Sequence, residues 1–166
     1  MMRIDADKTN VMRLLDGKKI PYIPHYYYDT QETDGMLIAK RLGEEPERCF
    51  KTLVTIGRSG KNYVFMIPVC HELDLKKAAS AVSEKSIEMI KSKELLPLTG
   101  YIHGGCSPIG MKKPFITVIN ENAENFDTIY FSAGKIGYQV ELSLSNLEKM
   151  VKFKLYDLTV EDKSAE

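Results

Sequence analysis

Cysteine is scarce in this chain, and the way it is placed excludes two common structural devices. Cys49, Cys70 and Cys106 are odd in number and far apart. They suggest neither a disulfide framework nor a zinc site, since both need paired, closely spaced ligands. Reduced thiols and no bound metal are the expectation. Long hydrophobic runs are missing as well. No stretch approaches the roughly 18 apolar residues of a membrane span, and Met1-Met2-Arg3-Ile4-Asp5 lacks the apolar core of a signal peptide. A cytoplasmic protein with no membrane partner is therefore expected. Net charge is absent too, with 23 Lys and Arg against 23 Asp and Glu. That balance argues against a free-standing nucleic-acid binder, because affinity built on neutralised phosphates needs a basic surface. Any nucleic-acid affinity should be modest or shared with a partner. There is no internal repeat and no low-complexity segment.

The chain does hold enough apolar material for one sizeable core. Of its 166 residues, 43% are hydrophobic and 28% charged, which predicts a single domain over 1–166. A first helix is predicted from Thr9 as N-cap to Gly17 as C-cap glycine. Pro21 then starts an extended, aromatic-rich segment through Tyr28, whose prolines place it at a sheet edge or barrel rim. A second helix runs over Met36 to Leu42 and ends at Gly43. Phe50 to Ile56 and Tyr63 to Ile67 flank a Gly-rich turn and read as an antiparallel hairpin. Leu73 to Val82 has helical spacing, and Ser86 to Leu96 reads as a short strand followed by a helix. Three further strands are predicted at Phe115 to Ile119, Thr128 to Phe131 and Tyr138 to Leu142. Residues 132–137 are read as the link between the last two. Ser145-Asn146-Leu147-Glu148 has capping-box spacing for a helix to about Val151. Lys154 to Asp157 adds a last strand, and the tail from Glu161 is expected to fray. Strands do not alternate with long crossover helices, which disfavours a doubly wound parallel sheet. The fold class predicted is α+β: a mixed, mostly antiparallel, β-barrel-like sheet with flanking helices.

Binding chemistry is most visible at Gly104-Gly105-Cys106-Ser107-Pro108-Ile109-Gly110, followed by Met111-Lys112-Lys113-Pro114. Three glycines within seven residues let main-chain N–H groups approach a ligand with no Cβ in the way, so the loop can hold an anion or an ester carbonyl. An ordinary Gly/Pro turn is the plain alternative. His103 and Cys106 invite a thiol–imidazole reading, but nucleophile and base normally meet from distant positions, and no third group orients the imidazole. His25 and His71 have no second ligand at i+2 to i+4 and read as surface or partly packed residues. Lys51 shares a strand face with Leu53. A lysine on an apolar face either snorkels from the strand end to water or serves as a cation facing a pocket, placed to meet a phosphate or polarise a carbonyl.

Taken together, Phe50-Lys51-Thr52-Leu53-Val54, Gly100 to Lys113 and Ile129 to Gly137 resemble the YbaK/EbsC family. These are aminoacyl-tRNA deacylases related to the editing domain of bacterial prolyl-tRNA synthetase. The likeness covers nearly the whole chain and is greatest to the Cys-tRNA(Pro) deacylase branch. It implies a mixed β-barrel with flanking helices and a pocket in which Lys51 is the characteristic, catalytic basic residue, with Thr52 beside it. It further implies backbone donors from Gly104 and Gly105 near the aminoacyl ester, Ser132 across the pocket and Tyr27 at the rim. Cys106 and His103 depart from the usually apolar residues at their positions.

An aminoacyl-tRNA ester is already activated, so positioning and oxyanion stabilisation suffice without a protein nucleophile or a cofactor. With cysteinyl-tRNA, the substrate thiol can attack its own ester carbonyl, while a small pocket excludes larger side chains. Water attack is the alternative. The resemblance implies the aminoacyl-tRNA acceptor end and prolyl-tRNA synthetase as partners, and a monomer is expected. Lys112, Lys113 and Lys135 are candidates for the acceptor end or simply solvate their loops. Two rival functions are an editing hydrolase of other specificity, such as Ala-tRNA(Pro), and a non-catalytic tRNA or synthetase accessory protein.

Overall fold

A hydroxyl opens the first helix described in the computed structural model, which describes residues 8–27 and 30–161. Residues 1–5, Tyr28 and the tail past Glu161, for which expectations were stated above, lie outside the described residues. The Thr9 side chain accepts the Met12 N–H at 3.3 Å, satisfying one of the donors that a helix start leaves without a partner, and α1 (Asn10–Gly17) follows. Its buried face is Val11, Met12 and Leu15. Gly17 is the last helical residue rather than the cap, and the left-handed turn falls on Lys19, with φ of 58°.

β1 (Ile23–Tyr26) is an edge strand, as its prolines predict: Pro24 has no N–H to offer a further ladder. It pairs antiparallel with β7 (Tyr138–Leu142), which pairs antiparallel with β6 (Ile129–Lys135). Residues 132–135 are therefore strand, not linker. β6 carries a register shift between Ser132 and Lys135, with Gly134 at φ of 95°, and only Ile136-Gly137 make the turn. A glycine inside a strand marks a bulge as readily as a loop, which is why the sequence pattern misplaced this boundary.

α2 (Gly35–Leu42) is capped by Asp34, whose carboxylate accepts from Met36 and Leu37 N–H, and it ends at Gly43 with φ of 70°. The predicted hairpin is β2 (Phe50–Gly57) with β3 (Asn62–Pro68), in register from Phe50 opposite Pro68 to Ile56 opposite Asn62. β3 is buried on both faces and lies at the centre of a second sheet, β4-β2-β3-β5-β8. There β4 (Ile87–Met89) adds antiparallel to β2, while β5 (Ile116–Asn120) and β8 (Phe153–Tyr156) continue parallel from β3. α3 (Leu75–Val82) and α4 (Ser92–Thr99) connect these strands. α5 (Leu144–Leu147) opens on Ser143, whose hydroxyl accepts from Asn146 N–H at 3.1 Å. The capping serine is thus two residues earlier than predicted, and the helix is shorter.

The architecture is mixed α+β and mostly antiparallel, as expected, but the two sheets do not close into a barrel. They meet where Cys49, just ahead of β2, bridges Tyr130 of β6. One core packs α1 against Phe50, Ile129, Phe131 and Val140, and a second packs α3 against Phe65 and Ile67. β2 runs between them, and its first residues emerge where the sheets join.

Candidate active site

That junction encloses a pocket of about 170 Å³. Its walls come from the start of β2, the middle of β6, the glycine loop and the approach to α2. Lys51, Thr52, Tyr27, Gly104 and Ser132, which are distant in sequence, all line it. Lys51 stands opposite Ile67 in the register, one row in from the start of β2, and shares its face with Leu53 and Thr55. It is half-buried.

Gly105 is placed differently from Gly104. Its N–H donates to the Ile102 carbonyl at 3.0 Å, and a Cβ there would meet the Lys135 and Ile136 backbone at 3.3 Å. Gly105 therefore packs the loop onto the β6–β7 turn. Among the described residues, the backbone N–H groups of Gly104 and Cys106, both on the pocket wall, donate to nothing. Cys106 is buried and Gly104 half-buried, and a main-chain donor left unpaired in such a place can serve a bound oxygen. Ser132 accepts the Gly134 N–H at 3.0 Å, so the bulge in β6 sets the orientation of its hydroxyl. The Thr52 hydroxyl is buried with no partner among the described residues. Tyr27 is buried, its N–H donating to Gly137 O at 2.8 Å; desolvation, with Glu44 nearby, pushes its phenol upward and keeps it neutral.

Cys106 also lines the pocket, but burial pushes its thiol up to about 12, which removes the thiolate that a nucleophile requires. His103 is on the rim and makes no hydrogen bond among the described residues, so no oriented thiol–imidazole pair exists. The other histidines are paired rather than isolated. His25 Nε2 lies 2.8 Å from Glu141 Oε1, and His71 Nε2 lies 2.8 Å from Glu47 Oε2. Cys70 joins the latter pair, with the three ligand atoms within 4.8 Å of one another, an arrangement that residue spacing could not reveal. Of the candidate lysines, Lys112 Nζ donates to Pro97 O at 3.2 Å, and Lys113 and Lys135 lie over Phe115 and Tyr138.

Sequence reasoning missed a polar group behind the pocket formed by Glu44, Cys49 and Gln139. Glu44 Oε1 accepts from Gln139 Nε2 at 2.9 Å and from Cys49 Sγ at 3.2 Å. The one available signal was the polar alternation of Gln139 and Glu141 within β7. Glu44 follows a helix-ending glycine and gave none.

The fold is matched in known proteins. The family model of the aminoacyl-tRNA editing domain matches residues 37–150, which include Lys51, Thr52, the glycine loop and Ser132. This chain belongs to that family. A relative from Enterococcus faecalis is named "Putative Cys-tRNA(Pro)/Cys-tRNA(Cys) deacylase EbsC"; it is 41% identical over 156 residues, covering 93% of this chain and 95% of that one. Two solved structures share the fold of this editing-domain protein. One, described as "a putative trans-editing enzyme for prolyl tRNA synthetase", has a TM-score of 0.77 at 21% identity, over 91% of this chain and 95% of the other. The second, a hypothetical protein, has a TM-score of 0.80 at 18% identity, over 92% of this chain and 100% of the other. Among the described residues, no helix is long and apolar enough to cross a membrane.

Proposed function

We propose that this editing-domain protein deacylates mischarged aminoacyl-tRNA in trans, with Cys-tRNA(Pro) as its principal substrate and Cys-tRNA(Cys) as a second. The reading rests on one observation above all: Lys51, Thr52, Gly104 and Cys106, the last two with N–H groups unpaired among the described residues, line a pocket of about 170 Å³ in a chain 41% identical to a protein named for that activity. An engineered apolar cavity of about 150 Å³ holds one benzene. The pocket is therefore of a size for the aminoacyl group, leaving the terminal nucleoside outside.

In this mechanism the free N–H groups receive the ester oxygen as it becomes an oxyanion, and Lys51 supplies the positive charge that holds the terminal phosphate or the reacting carbonyl in register. The substrate thiol attacks its own ester carbonyl carbon. A C–S bond forms, the bond from that carbon to the ribose oxygen breaks, and the ribose oxygen takes the thiol proton. The products are a cyclic cysteine thiolactone and free tRNA, with no protein nucleophile used, in keeping with the high-lying Cys106 thiol. Lys51, Tyr27, Thr52, Gly104 and Ser132 are the proposed site. Gly105 serves as a packing residue rather than a donor, since its N–H is bound to Ile102 O. The balanced net charge fits a monomer that borrows tRNA affinity from prolyl-tRNA synthetase.

Single-turnover cleavage of Cys-tRNA(Pro), Ser-tRNA(Pro) and Ala-tRNA(Pro), with wild type and Lys51→Ala and with and without prolyl-tRNA synthetase, tests this reading. Cleavage of the cysteinyl ester alone, dependent on Lys51, is the expected result. Cleavage of seryl or alanyl esters would replace thiol attack with water attack and a broader specificity. Binding without turnover would make the protein an accessory factor.

A further inference from the structure

Two acceptor atoms behind the pocket have no donor. They are Glu44 Oε2 and Gln139 Oε1, both shielded from solvent and hydrogen-bonded to nothing among the described residues. They belong to side chains already joined by the Gln139 Nε2–H to Glu44 Oε1 bond at 2.9 Å. The Thr52 hydroxyl, which also lines the pocket, is itself unbonded and donates to neither. An ionised Glu44 accepts only, so it would leave both atoms unsatisfied in a desolvated place, an arrangement folded proteins avoid. A single proton on Glu44 Oε2 resolves both, because O–H to Gln139 Oε1 and N–H to Glu44 Oε1 then close one planar ring of two hydrogen bonds.

We propose that Glu44 is a neutral carboxylic acid paired with the Gln139 amide, and that the pair is a positioning device holding Gln139 in the pocket wall as an uncharged surface against the aminoacyl group. The proposal builds on the deacylase reading of this pocket. Cys49, whose thiol donates to Glu44 Oε1 at 3.2 Å, completes the cluster, and both Cys49 and Gln139 line the pocket. The surroundings favour the neutral form. Desolvation raises the Glu44 carboxyl most, and Glu141 on β7 adds to this, whereas the bonds from Gln139 and Cys49 and the charge of His25 on β1 oppose it. His25 is already bonded to Glu141, and Arg48 lies 3.6 Å from that same carboxylate, so the nearby cations are engaged there. Tyr27, beyond β1, and Tyr130 on β6 face Glu44 as neutral phenols. Loss of the proton would break one side of the ring, release Gln139 and place an anion behind the site where an oxyanion must form. Deacylation should therefore fall as pH rises through the Glu44 pKa.

Carbon-13 NMR of the Glu44 side-chain carboxyl, assigned through its own backbone and followed against pH in the wild-type protein, tests the proton directly and without any tRNA. The expected result is a carboxyl still protonated at the pH of the deacylation assay, with its midpoint above that pH; a carboxyl already ionised there overturns the proposal. The role is tested by the pH profile of single-turnover Cys-tRNA(Pro) cleavage, corrected for spontaneous ester loss. Wild type should decline on the alkaline side with the NMR midpoint. Glu44→Gln, which forms an amide–amide ring and cannot ionise, should lack that decline. Gln139→Glu, which sets two acids together, should lower the rate, and the exchanged pair Glu44→Gln/Gln139→Glu should recover it. A high midpoint with identical wild-type and Glu44→Gln profiles, or no recovery in the exchanged pair, overturns the positioning role. If no form cleaves Cys-tRNA(Pro), the deacylase reading fails while the carboxyl titration still decides the proton.

Discussion

A Cβ added to Gly104 would fall 2.5 Å from Thr33 Cγ2, so the glycine loop and the approach to α2 close on each other with no room for a side chain. Gly104 also has φ of 89°, a left-handed conformation that only glycine adopts without strain. Gly104→Ala should destabilise the fold by roughly 1–3 kcal/mol through strain and clash. It should reduce deacylation further than that stability loss explains, because relief of the clash displaces the loop N–H groups. Denaturant unfolding beside single-turnover rates at a temperature where both proteins are folded would separate the two effects. Equal rates would remove the loop from the mechanism.

Lys51→Ala should lower deacylation by about 10²–10³, the typical loss when one preorganised group facing a developing charge is removed. The melting temperature should change little, since Lys51 is half-buried at a strand end and no hydrogen bond depends on it among the described residues. Lys51→Arg should not restore the rate, because a planar guanidinium cannot occupy the place of a point charge in so small a pocket. Full rescue by arginine would reduce the role of Lys51 to long-range charge.

The thiols should react unequally. Cys49 and Cys106 are buried, and desolvation drives both thiols upward; Cys70 is exposed and is raised to about 11 by desolvation and by Glu47. A thiol-specific reagent at neutral pH should modify Cys70 alone, slowly, in the native protein, and all three cysteines once the protein is unfolded. Rapid reaction of Cys106 in the folded state would reopen a nucleophilic role for it.

Acid should loosen the β1–β7 edge first. Desolvation alone would raise the Glu141 carboxyl, but hydrogen bonds from Thr128 and His25 and the charges of His25 and Arg48 outweigh it and leave it lowered. For a lowered carboxyl, the unfolded chain binds the proton more readily. The stabilisation is therefore present above the ordinary carboxylate value and is lost as pH falls through the folded one. Glu44 has the opposite sign: its raised carboxyl contributes at low pH and loses that contribution as pH rises. Denaturation midpoints against pH should fall more steeply in acid for wild type than for Glu141→Gln. Parallel curves would show that Glu141 carries no linkage.

Much of the fold could be read locally. The cap at Thr9, the hairpin of β2 and β3 and the stop at Gly43 all follow from residues that act on their own neighbours. The readings that failed lie where two local signals coincide. Gly134 and Gly137 look alike in sequence, yet one sits in a bulge and the other in a turn, because β7 pairs past the bulge as far as Lys135. Ser143 and Ser145 both suit a cap, and packing of Leu147 into the core selects Ser143.

By itself, then, the sequence determined the class of fold, the family and the identity of the conspicuous pocket residues, since these depend on short-range propensity and on motifs whose order along the chain is their signature. Tertiary structure alone decided three things. The sheets stop short of a barrel, joined through Cys49 and Tyr130. Gly105 packs the loop while Gly104 faces the pocket, a division set by whether Ile102 O lies within reach. Glu44 meets Gln139 across 95 residues of chain, behind a pocket neither residue announces. Burial and hydrogen-bond satisfaction are properties of neighbours in space, and for those groups the neighbours come from elsewhere in the chain.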